Sequence, residues 1–152
     1  MLTKPEKCLG CPLYGDGQGF VPDKIVDTSE VFIYARNPGE AEEQGKRLVG
    51  YSQGKPDYEA CFPSPLIGPT GYEMHTKYLP IAGLSREEVS LGNSLRCRYK
   101  HTDELPPLES PLVKEALLHC HNAHFKLPEK TRLIVAQGEH ALYALTQHGD
   151  RV

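Results

Sequence analysis

Four cysteines could carry chemistry in this chain. Cys8 and Cys11 form a Cys-x-x-Cys pair near the start, and Cys97 and Cys120 lie far downstream. Two thiolates that close can make one corner of a metal site. The distant two can close it only if the fold brings them back. Four thiolates suit an iron–sulfur cluster or a structural zinc ion, and spacing does not separate the two. Five cysteines in 152 residues are too sparse for a disulfide scaffold, and the odd count leaves one over. Cys61, in a proline-rich stretch, is the spare. Met1 to Leu13 has no apolar signal core, so a reducing, cytoplasmic setting is expected. In such a compartment Cys-x-x-Cys reads as metal-binding or redox. A thioredoxin-type pair would follow a strand and open a helix. Gly10, Pro12 and the run Gly15-Asp16-Gly17-Gln18-Gly19 predict a loop instead, which favours a metal site over free thiols.

The elements that must position these thiols follow from pattern. The length fits one domain over residues 1–152, and 39% hydrophobic content is enough for a core. No apolar run approaches a membrane span. The formal charge of -3 advertises no global basic field for nucleic acid, though a local patch stays open. Residues 1–30 read as a cysteine-bearing loop. Val31-Phe32-Ile33-Tyr34-Ala35 is a buried strand that ends in the turn Asn37-Pro38-Gly39. Glu40, Glu42 and Glu43 then mark the first turn of a helix. Residues 44–64 are an apparent insertion, and nothing regular is expected over 44–70. Tyr72 to Ile81 has helical spacing. Val89 to Leu95 is a second strand, Ser110 to Phe125 a helix with Pro111 at its first position, Arg132 to Ala136 a third strand, and Glu139 to Gln147 a last helix. Alternating strands and helices predict an α/β fold, with a short parallel sheet between two helical layers. Ligands bind beyond the carboxyl ends of such strands. The segments leaving those ends are 36–39, 93–98 and 137–140.

In this register the chain resembles the uracil-DNA glycosylase superfamily, especially its iron–sulfur branch. The resemblance runs from Cys8 to about Leu145. Cys8-Leu9-Gly10-Cys11-Pro12-Leu13 is similar to the branch's first ligand pair, and Gly17 to Pro22 to its glycine loop. Pro65-Leu66-Ile67-Gly68-Pro69-Thr70-Gly71 resembles its Pro-Phe-Val-Gly-x-x-Gly segment. The most specific stretches are Ala82 to Val89 and Asn93-Ser94-Leu95-Arg96-Cys97-Arg98, which resemble the second strand with its uracil-binding Asn and third cluster ligand. Cys120 matches the fourth ligand. The resemblance implies a [4Fe–4S] cluster on Cys8, Cys11, Cys97 and Cys120, with zinc the lesser alternative. It also implies uracil-containing or single-stranded DNA as partner.

Three departures bear on activity. The branch's first motif carries a catalytic Glu, and here that position is Arg36, which stays protonated and is no base. Asn37-Pro38-Gly39 instead matches the Asn-Pro-Gly ending used by other branches, where the Asn orients the attacking water. Leu66 stands where the family places a Phe that stacks on the base, and it lacks the offset stacking of a ring. The inserted segment carries Tyr51, Tyr58 and Phe62. One of them could replace that ring, but packing of their own loop is the simpler expectation. Finally, the family continues into a fourth strand and a His-Pro-Ser motif, whereas this chain stops at Val152. It is either a fragment or a reduced relative, with a sheet edge open to a protein partner.

Base excision needs an extruded base, a pocket that reads its edge and help for the leaving anion. The residues implied are Asn37 for water, Asn93 for the base edge, and Pro38, Gly39 and Leu66 around it. Backbone N–H groups after Pro38-Gly39 could face an anion. Arg96, Arg98, Lys100 and His101 form the local basic cluster for phosphates. Two functions follow: a uracil-DNA glycosylase, or a catalytically degenerate DNA- or protein-binding module of a repair or replication assembly.

Overall fold

The computed structural model describes residues 1–99 and 104–147. Its strands are β1 (Gly17–Phe20), β2 (Val31–Ala35), β3 (Lys46–Ser52), β4 (Lys55–Ala60), β5 (Ser90–Asn93), β6 (Cys97–Tyr99) and β7 (Leu133–Ala136). The helices are α1 (Glu40–Gln44), α2 (Pro69–Glu73), α3 (Leu79–Ile81), α4 (Pro111–His124) and α5 (Glu139–Thr146). A π-helical turn, Met74–Tyr78, joins α2 to α3.

The fold is α/β, built on a parallel sheet ordered β5-β2-β7. β2 is its centre because it is apolar on both faces. Phe32 and Tyr34 point into a core with Val113, Leu117, Ala141 and Ala144, so α4 and α5 cover that face. Ile33 and Ala35 point the other way, against Leu66, Met74 and Leu79, so the α2–α3 segment covers the second face. A strand apolar on both sides has to be sandwiched in this way. The result is the predicted helix–sheet–helix layering.

β5 and β7 are the edges. Lys24 exchanges backbone hydrogen bonds with Leu91, so the chain before β2 closes the β5 edge. β7 pairs only with β2 among the described residues, and its Leu133 and Val135 are 55% and 39% exposed.

Two expectations need correction. Residues 1–30 are not all irregular: β1 pairs antiparallel with β6, with Phe20 opposite Cys97. The insertion is not a structureless loop either. β3 and β4 form an antiparallel hairpin from Lys46↔Ala60 to Ser52↔Lys55. Its turn residues Gln53 and Gly54 both have positive φ, 52° and 76°, as a two-residue hairpin turn requires. No helix among the described residues is long and apolar enough to cross a membrane.

Candidate functional site

Ala35 and Asn93 are register partners at the carboxyl ends of β2 and β5. The chain leaving those ends, with the end of β7, encloses a pocket of ≈ 220 Å³ lined by Asn37, Asn93, Leu66, Arg36, Glu42 and Gln137, together with Ala35 and Thr70. That is smaller than the roughly 300–1,000 Å³ of drug-sized sites, so it suits one small ring. The fold therefore unites Asn37, Leu66 and Asn93, as the sequence predicts.

Asn93 is 2% exposed, and its Nδ2 has no hydrogen-bond partner. A buried amide donor left unpaired is costly unless something outside the chain satisfies it. Asn37 is held differently. Its Oδ1 accepts from Arg36 Nε at 3.0 Å, and its Nδ2 donates to the Pro38 carbonyl at 3.3 Å.

Pro38 and Gly39 do not join this pocket. Gly39 lines the adjoining groove under Tyr58, and its N–H donates to Glu42 Oε2 at 3.1 Å. The turn is thus capped by its own helix, and that N–H is not offered to an anion. Tyr51, Tyr58 and Phe62 are also absent from the pocket lining. Tyr51 packs edge-on against Tyr72, with ring centroids 5.7 Å apart.

Glu42 was legible only as a first-turn acid, yet it fastens two pocket loops. Its second carboxylate oxygen, Oε1, accepts from the Gly68 N–H at 3.1 Å. Both oxygens are spent on backbone donors, and the residue is 8% exposed. Glu42→Ala strands two donors. It should cost about 2–4 kcal/mol in urea unfolding, and Glu42→Gln, which keeps one acceptor, less.

Leu66 has a positive φ of 56°, a conformation that costs a non-glycine residue about 1–3 kcal/mol. Arg86 holds it there. Its Nη1 donates to the Leu66 carbonyl at 3.1 Å, and its Nη2 to the Pro65 carbonyl at 2.9 Å and to Ser64 Oγ at 2.8 Å. Gly71 is needed beneath the turn, since a Cβ there would lie 1.7 Å from the Leu66 oxygen. His75 Nε2 packs into the same knot, 2.9 Å from Arg86 Nη1 and 2.9 Å from the Leu66 carbonyl.

Burial, aided by the charges of Arg86 and Arg47, pushes the His75 pKa down to about 4; Glu87 and the Leu66 carbonyl oppose this. The unfolded chain then binds the extra proton first. His75 should therefore weaken the fold as pH drops from about 6.5 towards 4. His75→Gln should flatten that part of the profile of melting temperature against pH.

The four predicted ligands meet at a second place. Cys8, Cys11, Cys97 and Cys120 line one cavity with Lys4, Phe20, Arg96 and His124. β1 lies so close over it that a Cβ on Gly17 would be 2.4 Å from Cys97 Sγ. The N-terminal loop is docked by His119 Nε2, 3.0 Å from the Lys7 carbonyl. Among the described residues no three side chains of His, Cys, Asp or Glu form a ready metal group, so the thiols surround a space without converging on a point.

Burial pushes the Cys97 thiol up to about 12 and the Cys8 thiol up to about 11, with neighbouring sulfurs adding to both shifts. Cys11 is raised as well, first by burial. Thiolates crowded this way are stable only beside a compensating cation. Polar nitrogens are also in place. Arg96 Nη1 lies 3.4 Å from Cys120 Sγ, and His124 Nε2 lies 3.2 Å from Cys8 Sγ. Donor set and surroundings fit a thiolate-bound metal group.

The predicted phosphate cluster is corrected in part. Arg96 is 2% exposed and forms a two-pronged pair with Asp23 at 3.0 and 2.7 Å, so it is not presented to DNA. Its position beside Cys97 in sequence gave no sign of that, because Asp23 is 73 residues away. Arg98 is half-buried on β6. Lys100 and His101 lie outside the described residues.

Neither the protein-family models nor the curated proteins compared with this chain give a match.

Proposed function

We propose that the chain is a uracil-DNA glycosylase-like protein that hydrolyses the N-glycosidic bond of uracil in DNA. The observation that carries the reading is the buried, unpartnered Nδ2 of Asn93, a residue that lines a ring-sized pocket together with Asn37. An extruded uracil would satisfy Nδ2 with a carbonyl oxygen. Leu66 would pack on the base face. Asn37, through the second lone pair of its Oδ1, would hold the attacking water without taking its proton. An oxocarbenium-like sugar is electrophile enough for that. The fixed charge of Arg36 on the same pocket would favour the departing uracil anion.

Cys8, Cys11, Cys97 and Cys120 would hold a [4Fe–4S] cluster, or zinc as the lesser candidate. The bound group would supply structural cross-linking of the N-terminal loop, β6 and α4. The thiolate chemistry of such a site fits a reducing, cytoplasmic setting.

A second reading is a degenerate binding module. The Arg36–Asn37 hydrogen bond favours it, because it engages one of the two lone pairs of the oxygen that would orient the water. So does β7, whose Leu133 and Val135 are exposed and whose outer edge pairs with no described strand, the kind of edge a protein partner would extend. Uracil release from single- and double-stranded uracil-containing DNA separates the two, using anaerobically purified protein with Asn37→Ala and Asn93→Ala beside it. Excision lost in both variants supports the enzyme. DNA binding without excision by metal-replete protein supports the module.

A further inference from the structure

Beyond the 64–67 loop from the Asn93 pocket lies a groove of ≈ 380 Å³ that neither reading above uses. Its walls carry three cations, Lys24, Arg47 and Arg86, and one carboxylate, Asp23, already neutralised by Arg96. Phe62 stands at the same groove, 66% exposed. The three cations are not equivalent. The Arg86 guanidinium is committed to the Ser64–Leu66 loop and contributes only its charge. Lys24 Nζ donates to the Arg86 and Val89 carbonyls, which leaves one of its three N–H groups. Arg47 is half-buried on β3, and its guanidinium makes no hydrogen bond or ion pair among the described residues, although Glu59 is its register partner on β4. Glu87 and Glu42 are further acids outside the groove: Glu87 is solvent-exposed, and Glu42 is spent on the Gly39 and Gly68 N–H groups. The cations repel one another. Burial first, then the neighbouring Arg86 and Arg47, lower the Lys24 pKa, and burial first, then Arg47, hold Arg86 down to about 10.

We propose that this groove binds a backbone phosphate of single-stranded nucleic acid, with Arg47 and Lys24 as direct donors and Phe62 as a stacking face for a base of that strand. A cation beside an exposed ring is the combination that single strands use, since every base has a face to stack and every nucleotide a phosphate. Ser64 and Ile67 line this groove and Leu66 lines the Asn93 pocket, so one loop separates the two. A strand seated here would present a neighbouring nucleotide to Asn93; that part rests on the glycosylase reading. The groove takes over the role that the sequence gave to Arg96.

The test is fluorescence anisotropy with a single-stranded oligonucleotide containing deoxyuridine, from about 50 to 200 mM NaCl. Arg47→Ala should weaken binding about 5-fold and reduce the salt slope by about 0.7, the share of one phosphate on a single strand. Arg47→Lys should keep the slope. Phe62→Ala should weaken binding about 5-fold or more at unchanged slope. Thermal unfolding of each variant checks that it folds, and two exposed or half-exposed positions give independent readouts. Slopes and affinities unchanged in both variants would overturn the proposal, as would absence of oligonucleotide binding by wild type. Pyrophosphate that stabilises wild type but not Arg47→Ala, with the oligonucleotide slope unmoved, would also overturn it by assigning the groove to free phosphate. Uracil release is read separately. A slope that changes in a protein releasing no uracil leaves the groove standing and removes the glycosylase. Release with an unmoved slope does the reverse.

Discussion

Asn93→Ala should lower uracil release by about 10²–10³-fold while leaving the fold as stable as before. The first half follows from what a preorganised donor is worth in a water-poor site: deleting one typically costs that factor in rate. Asn93 is such a donor, 2% exposed at the end of β5. The second half follows from its lack of a partner. In the free chain Nδ2 makes no hydrogen bond, so removing it breaks none, and relief of that buried polar group offsets the small void that Ala leaves. A residue that served the fold would behave in the opposite way, losing stability first and activity only as a consequence. Asn93→Asp sharpens the test. A carboxylate accepts but cannot donate, and it would sit against a leaving anion, so it should be no better than Ala. Single-turnover excision and urea unfolding on the same preparations give both halves. A large stability loss with proportionate activity loss would mark Asn93 as structural.

Arg96→Leu should destabilise the protein by about 3–5 kcal/mol, the cost of stranding a buried charge. Asp23 would remain in a buried position with its main counter-charge gone. Burial already pushes its carboxyl up against the pull of Arg96 and of the Asn93 backbone N–H. The double variant Asp23→Leu/Arg96→Leu should recover most of the loss, because an apolar pair of similar volume often replaces a buried ion pair at little cost. Urea unfolding of the two singles and the double measures the coupling directly.

The same substitution should reach both sites. Arg96 lies against Cys120 Sγ on one side. On the other it holds Asp23, which receives the Asn93 N–H and lies 2.7 Å from where a Cβ on Gly92 would be. Metal content and uracil release should therefore fall together in Arg96→Leu. Purely electrostatic loss of DNA contact would reduce binding and spare stability.

Much of the frame is legible because it is local. The apolar run Val31–Ala35 announces a strand buried on both faces, and Pro111 announces the start of α4. The hairpin was hidden because its turn is Gln53-Gly54 in place of Asn-Gly or Asp-Gly, and because Pro56 sits inside β4. Pairing decides such a segment, and pairing partners are not written in either strand alone. Gly92 did carry a signal: a glycine inside a strand marks a close approach, here by Asp23.

Residue type and order determined the α/β alternation, the strand ends where a site would form, and the cysteines that would share one place. Those properties depend on short-range periodicity and on chemistry intrinsic to each side chain. Only the tertiary structure decided which polar groups were already satisfied. Arg96 is consumed by Asp23, and the Gly39 N–H by Glu42, while the buried Asn93 Nδ2 is left unpaired. The reason is physical. A charge or an amide is available to a ligand only if nothing in its own fold reaches it first, and that is fixed by contacts between residues far apart in the chain.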